Sequence, residues 1–417
     1  WSGPVAYLSD SKYTLVLAQN ILAGRGLELD RYFDATATPP PALSYQLRQH
    51  DGHVYLAYPN ANAYLSLPFV ALLNRCGLSP VDSRGAYDLV AETRMQRIVA
   101  CGLAAALTAL LYLGFRTFTS VLVSAAAALI ASLGSVVLSN LTRALWTQTW
   151  AALLVGLLSW ELLRDQRHRG GLRPAVVGSG LAWLALVRPP ALLIVVGVLG
   201  YLLMQRRELL ARTLLWMAPW CALVGAVNLS TFGTLRQPTT YEVATLFSLE
   251  GWWPRTGYVL ASPSRGLLIF MPWVLLVLLA LLCWRRLPAR PVMAMALLAT
   301  ASYLAMLASY TQWIGGQSYG PRLWAEVVPL VALAATGGWV AARATLRGPA
   351  RGFVLAFAIL SSSWSLFVHA RGAFAPETHR WNRYLSTRES RLKVIHDWSR
   401  AQFLEGLREP PPGPPQP

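Results

Sequence analysis

Residues 174–204 read PAVVGSGLAWLALVRPPALLIVVGVLGYLLM, and the number of times this stretch crosses a bilayer decides the fold. As a single helix it would span roughly 46 Å, at about 1.5 Å per residue, whereas a bilayer core is about 30 Å thick. Arg188-Pro189-Pro190 interrupts it, and proline both ends a helix and frees backbone polar groups. Arg164, Arg167, Arg169 and Arg173 precede the stretch, and Arg206, Arg207 and Arg212 follow it. Short basic loops sit on the cytoplasmic side, so the chain must leave that side and return to it. The stretch is therefore predicted to be a hairpin of two short, half-buried passes. One long tilted helix would put the later basic loops outside.

The same pattern extends in both directions. Apolar runs lie at about 98–115, 119–138, 146–163, 174–187, 191–204, 212–231, 267–284, 291–310, 323–342 and 353–370, and every second loop between them is basic. Of the 417 residues, 55% are hydrophobic and only 13% charged, with a mean hydropathy of +0.41. Soluble domains carry about 25% charged residues. The 17 Trp and 16 Tyr suit interfacial belts. The expected fold is an all-α polytopic membrane bundle of about ten visible spans. Trp1 rather than Met opens the chain, so a further upstream span is expected, making about 11. The predicted organisation is a large external first loop carrying amphipathic helices (1–93), a transmembrane bundle (94–370), an external C-terminal segment (371–408) and a disordered Pro-rich tail (409–417).

The net charge of +17 comes almost entirely from arginine in short loops, so it reads as orientation rather than nucleic-acid binding. Cys76, Cys101, Cys221 and Cys283 show no metal spacing and read as small apolar residues. No compact carboxylate or His cluster is visible, and no metal site is assigned. Phosphate loops, nucleophile elbows, HExxH and dinucleotide fingerprints are absent, which argues against nucleotide chemistry on the cytoplasmic face.

The opposite face collects 1–93, 140–146, 188–190, 232–266, 311–322 and 371–417. Chemistry is expected there, on loops held by a scaffold. In YLSDSKY (7–13), Ser9 is a plausible helix cap that would place Asp10 in a first turn, ahead of an amphipathic surface helix ending at Gly24 or Gly26. In YPNANAYLSLPF (58–69), Tyr58 opens an aromatic, amide-rich segment. In NLTRALWTQTW (140–150), Arg143 and Trp146 are spaced to share a helix face. YVLASPSRGLLIFMPW (258–273) sets Ser262, Ser264 and Arg265 before an apolar run. QWIGGQSYGPR (312–322) combines a glycine loop with Gln317, Tyr319 and Arg322. Arg suits bidentate phosphate contact. Snorkelling to lipid headgroups, and an Arg322–Glu326 helix pair, are the plain readings of these cations. The positive-inside rule does not account for Lys12, Arg143, Arg188, Arg265 and Arg322 on this face, and such ionisable groups are functional candidates. His396-Asp397 lies in RLKVIHDWSRAQFL (391–404), read as an amphipathic external helix.

Taken in order, SDSKYTLVLAQNILAGRG, YPNANAYLSLPF, NLTRALW, the Arg-Pro hairpin, SPSRGLL and GGQSYGPRLWAEVVPL resemble the GT-C superfamily of membrane glycosyltransferases. These enzymes take sugars from polyprenyl-phosphate carriers. The resemblance covers the whole chain and is moderately specific as a series. It implies Asp10 as catalytic base. It implies a substrate-binding set drawn from Lys12, Tyr13, Tyr58, Arg143, Arg188, Arg265, Gln317, Tyr319 and Arg322, with Arg265 and Arg322 on the lipid phosphate. It further implies a polyprenyl-phosphate-linked sugar donor, an envelope glycan, lipid or protein acceptor, and a bacterial inner membrane with the site facing the periplasm. Many members carry a second acid beside the first-loop Asp. Here Ser9 and Ser11 flank Asp10, and a divalent cation stays an open cofactor. Two other classes fit the composition. A flippase of lipid-linked sugars would move substrate without covalent transfer, but the chain shows one broken hairpin and no second copy. A non-catalytic envelope-assembly protein would tolerate loss of Asp10, Arg265 and Arg322.

Overall fold

The computed structural model describes residues 8–33, 44–168, 170–235, 237, 246–386 and 391–407. The Pro-rich tail expected at 409–417 lies outside them. The chain is mostly helical. In order come α1 (Thr14–Leu22), β1 (Leu47–His50), β2 (His53–Leu56), α2 (Ala61–Arg75), α3 (Leu89–Phe115), α4 (Val121–Leu133), α5 (Thr147–Arg167), α6 (Pro174–Val187), α7 (Leu192–Gln205) and α8 (Arg207–Phe232). There follow α9 (Trp252–Ala261), α10 (Leu267–Phe270), α11 (Val277–Leu282), α12 (Arg290–Ser309), α13 (Val328–Thr345), α14 (Gly348–Phe374), α15 (Glu377–Arg380) and α16 (Arg391–His396). β1 and β2 form an antiparallel hairpin.

Five helices are long and apolar enough to cross a bilayer: Leu89–Phe115, Arg207–Phe232, Arg290–Ser309, Arg322–Thr345 and Gly348–Phe374. The count of about ten is thereby corrected. Val121–Leu133, Pro174–Val187, Pro189–Gln205 and Pro272–Leu282 are shorter apolar helices. The reason is local. Hydropathy averages across breaks that the backbone cannot ignore: the run at 119–138 stops helically at Gly134, and Met271-Pro272 splits 267–284 into α10, a 3-10 turn and α11. Helices of 13 or 14 residues reach only about 20 Å, short of a bilayer core.

The chain forms two compact units, one from residues 8–110 and 141–237, the other from 111–140 and 246–407. In the first unit the hairpin is present. α6 ends at Val187, Pro189–Ala191 make a 3-10 turn, and α7 runs to Gln205. Two buried acids on α5 explain its geometry. Asp165 takes a bidentate grip from Arg206, at 2.7 and 2.9 Å. Glu161 pairs with Arg164 at 2.8 Å and with Arg173. Residues before α6 and after α7 thus meet at the same end of α5, so the hairpin leaves and returns on one side. α6 lies close against α8 because Gly178 has no side chain: a Cβ there would sit 2.3 Å from the Thr213 carbonyl oxygen. Asp165→Ala leaves Arg206 only its longer pair with Glu208, at 3.6 Å. It is expected to cost less than the roughly 3–5 kcal/mol of leaving a buried charge without any partner, read as a lowered midpoint in a detergent thermal melt.

In the second unit, the Arg322–Thr345 span is 89% buried and forms the unit's centre. By contrast Arg207–Phe232 of the first unit is 11% buried, and its exposed Leu214, Leu215, Leu223 and Leu229 form the apolar surface a lipid environment accepts.

Candidate functional site

In the first unit, residues 9–13 form successive turns, with Lys12 N–H donating to Ser9 O at 3.1 Å and Thr14 N–H to Ser11 O at 3.2 Å. α1 begins only at Thr14, so Ser9 is not its cap and Asp10 is not in its first turn. Tyr13, at φ 73°, sits in the left-handed region and stops the helix from extending backward. The orphan N–H groups of α1 are met from afar. Glu92 of α3, fully buried, accepts from Tyr13 N at 3.1 Å and Leu15 N at 2.8 Å, and also from Tyr87 and Gln96. Burial, and then Glu92, push the Tyr87 phenol well up. α1 is buried nearly all round rather than lying as an amphipathic surface helix, which corrects that expectation.

Asp10 is half-buried, and three hydroxyls reach its Oδ1: Ser9 at 3.2 Å, Tyr58 at 3.2 Å and Tyr45 at 3.4 Å. Tyr58 thus stands beside Asp10. Its backbone is held by Gln237, whose Nε2 donates to the carbonyls of Leu56 and Tyr58 at 2.7 and 2.8 Å. Tyr45 and Gln237 carry no sequence signal. Tyr13 does not belong to a binding surface. Its ring is 5% exposed and packs edge-on against Phe33 and Tyr87, with the Lys12 ammonium over it. Arg143 is half-buried in a turn between a π-helical turn (Val137–Leu141) and α5, so it shares no helix face with Trp146, which caps α5. Arg188 is half-buried at the hairpin break.

In the second unit, Arg265 and Arg322 line one cleft, about 240 Å³ including its open mouth, with Trp313, Leu307 and Trp324 among its walls. Both arginines are buried. Arg265 sits in the SPSRG turn, where Ser262 Oγ accepts its N–H at 2.9 Å. Among the described residues its guanidinium reaches neutral oxygens: Ile314 O at 3.0 Å, Ser264 O at 2.8 Å, Gly316 O at 3.4 Å, Asn382 Oδ1 at 3.3 Å and Gln402 Oε1. One face covers the Trp381 ring at 5.2 Å. Burial, and then the nearby Arg322 charge, push the Arg265 guanidinium down to about 9, so it is still charged at neutral pH. Among the described residues, no acid lines the cleft.

Gln402 organises this cleft. Fully buried, it accepts from Gly320 N at 3.0 Å and donates to Ser318 O at 3.0 Å and Thr378 O at 2.9 Å. The glycine loop wraps around Arg265, and Gly315, Gly316 and Gly320 all have positive φ. Compared with protein-family models, curated proteins and solved structures, the chain matches none. The cleft is read from its own geometry.

Other expectations in this unit are revised. Tyr319 is fully buried, and its hydroxyl is spent on Val368 O at 2.7 Å, so it is core rather than a ligand group. Gln317 is exposed on the glycine loop. Arg322–Val327 is a 3-10 turn ahead of α13, and within it Glu326 accepts from Tyr303. The 391–404 segment is three short pieces, not one helix. Asp397 caps the second by accepting Ser399 N at 2.8 Å, which removes it from acid–base work. One cluster was invisible in the sequence: Glu28, Asp30 and His53 bring their ligand atoms within 4.8 Å of one another.

Proposed function

We propose that this chain is a membrane glycosyltransferase that moves a sugar from a polyprenyl-phosphate carrier to an acceptor hydroxyl on the extracytoplasmic face. The observation that carries this reading is the placing of two buried guanidiniums, those of Arg265 and Arg322, in the lining of one cleft. A cleft lined by two like charges favours an anionic occupant. A phosphate satisfies both, because planar guanidinium forks match its oxygens. A departing polyprenyl phosphate needs this kind of preorganised positive charge.

In the first unit, Asp10 is the candidate base. An acceptor hydroxyl must lose a proton as it attacks the sugar carbon, and a carboxylate oriented by hydroxyls supplies the acceptor site for it. The order of motifs in the sequence, and the GT-C resemblance it carries, support assigning the two roles this way. Deleting the gene and comparing envelope glycans by mass spectrometry tests the function. Loss of one sugar substituent, restored by the wild-type chain, is expected, and an unchanged glycan profile would count against the proposal.

A further inference from the structure

The stretch Leu27-Glu28-Leu29-Asp30 alternates in burial. Both leucines pack inward, and both acids face out. It is pinned on two sides. Leu29 N donates to Val54 O at 2.8 Å, and Asn20 Nδ2 donates to Glu28 O at 2.7 Å. β2 of the hairpin lies alongside, and its first residue is His53. The Asp51-Gly52 turn, at φ 47° and 83°, fixes the hairpin register and with it the direction of His53. His53 Nδ1 lies 2.6 Å from Asp30 Oδ2 and 3.7 Å from Glu28 Oε2. The other oxygen of Asp30 accepts Val54 N–H at 2.6 Å, which orients the carboxylate.

We propose that Glu28, Asp30 and His53 bind one zinc-class divalent metal ion. The separations of 2.6 and 3.7 Å straddle the ligand–ligand edge of about 3.3 Å that a tetrahedron with zinc-length bonds requires. All three side chains are 36–50% exposed, so small rotations close the set without repacking the core. One imidazole and two carboxylates supply a twofold negative charge for a divalent ion. The nitrogen donor favours a first-row transition metal over calcium or magnesium. The Val54 N–H on Asp30 is the kind of outer contact that holds metal-ligating carboxylates in place. In a chain with 36 basic and 19 acidic residues, the gathering of two acids and a histidine at one exposed spot is unusual. A His53–Asp30 ion pair alone, exposed as it is, would stabilise little, whereas a metal ion would also draw in Glu28, which in its absence meets the Tyr55 hydroxyl. With three protein ligands the fourth position faces solvent, and the ion clamps residues 27–30 to the hairpin. This inference does not depend on the glycosyltransferase reading.

The test uses the full chain in detergent, carrying no polyhistidine tag, stripped with chelator and titrated with Co²⁺. Saturable uptake of one ion per chain, with the visible d–d bands of a four-coordinate site and displacement by Zn²⁺, is expected. His53→Ala and Glu28→Gln should each weaken uptake by about 10–100-fold or more, no less than the loss of an outer-shell partner. His50→Ala should leave it unchanged. Both substituted positions are exposed, so a chelator-treated melt should match the wild type and show that the variants fold. Absence of saturable uptake, or affinity unchanged in both His53→Ala and Glu28→Gln, would overturn the proposal.

Discussion

Asp10→Asn should leave the protein folded and lower sugar transfer by about 10²–10⁴-fold, the range that general-base catalysis typically contributes. Asn keeps the size of the side chain and an oxygen that accepts from Ser9, Tyr45 and Tyr58, so the local hydrogen bonds survive. The fold at this point is held by other groups. Glu92 anchors the start of α1, and Gln46 Nε2 donates to Ser9 O at 2.9 Å. The substitution therefore removes the basicity of the carboxylate while keeping these three hydroxyl contacts. The measurement is transfer of labelled sugar from a polyprenyl-phosphate donor pool in membranes, with the detergent melting midpoint as control. Tyr58→Phe should give a smaller loss, since one hydroxyl disappears while the carboxylate remains. Wild-type transfer by Asp10→Asn would remove Asp10 from the mechanism.

The second large effect is expected at Arg322. A hydrogen bond to a charged group contributes about 1.5–3 kcal/mol, and about 1.4 kcal/mol is tenfold in affinity. Arg322→Gln should therefore weaken binding of polyprenyl phosphate by about 10–100-fold. It also removes the charge that presses on Arg265. Arg265→Gln is different. The wild-type guanidinium feeds carbonyls of Ser264, Ile314 and Gly316 and the Gln402 amide, so its loss orphans several buried acceptors. That variant should lose both binding and melting temperature. Binding measured beside the melting midpoint for each variant separates an anion-binding role from a purely structural one.

How much of this was legible depends on the range of each interaction. The break at Arg188-Pro189-Pro190 was readable because proline acts on its own helix, and the returning hairpin followed from charge counting. Arg265 and Arg322 were readable as cations beside glycines that permit a tight loop. The span count failed where a single Gly134 or Pro272 cut an apolar run that hydropathy treats as continuous. The supports of the site were not readable. Glu92 caps a helix 77–79 residues away, and Gln402 bonds to Arg265 across 137 residues. Nothing local to a lone Glu or Gln announces such a partner. Tyr13 and Tyr319 failed for the opposite reason: their neighbours looked functional, but the rings pack into cores. Glu28, Asp30 and His53 sit in two segments that only the fold brings together.

The central claim is that buried arginines grip a lipid-linked phosphate. Equilibrium binding of radiolabelled polyprenyl phosphate to the detergent-purified full chain, competed by unlabelled polyprenyl phosphate and by uncharged polyprenol, tests it most directly. The account predicts saturable binding displaced by the phosphate and not by the alcohol, and weakened in Arg322→Gln. Equal displacement by polyprenol, or binding unaltered by Arg322→Gln, would contradict it.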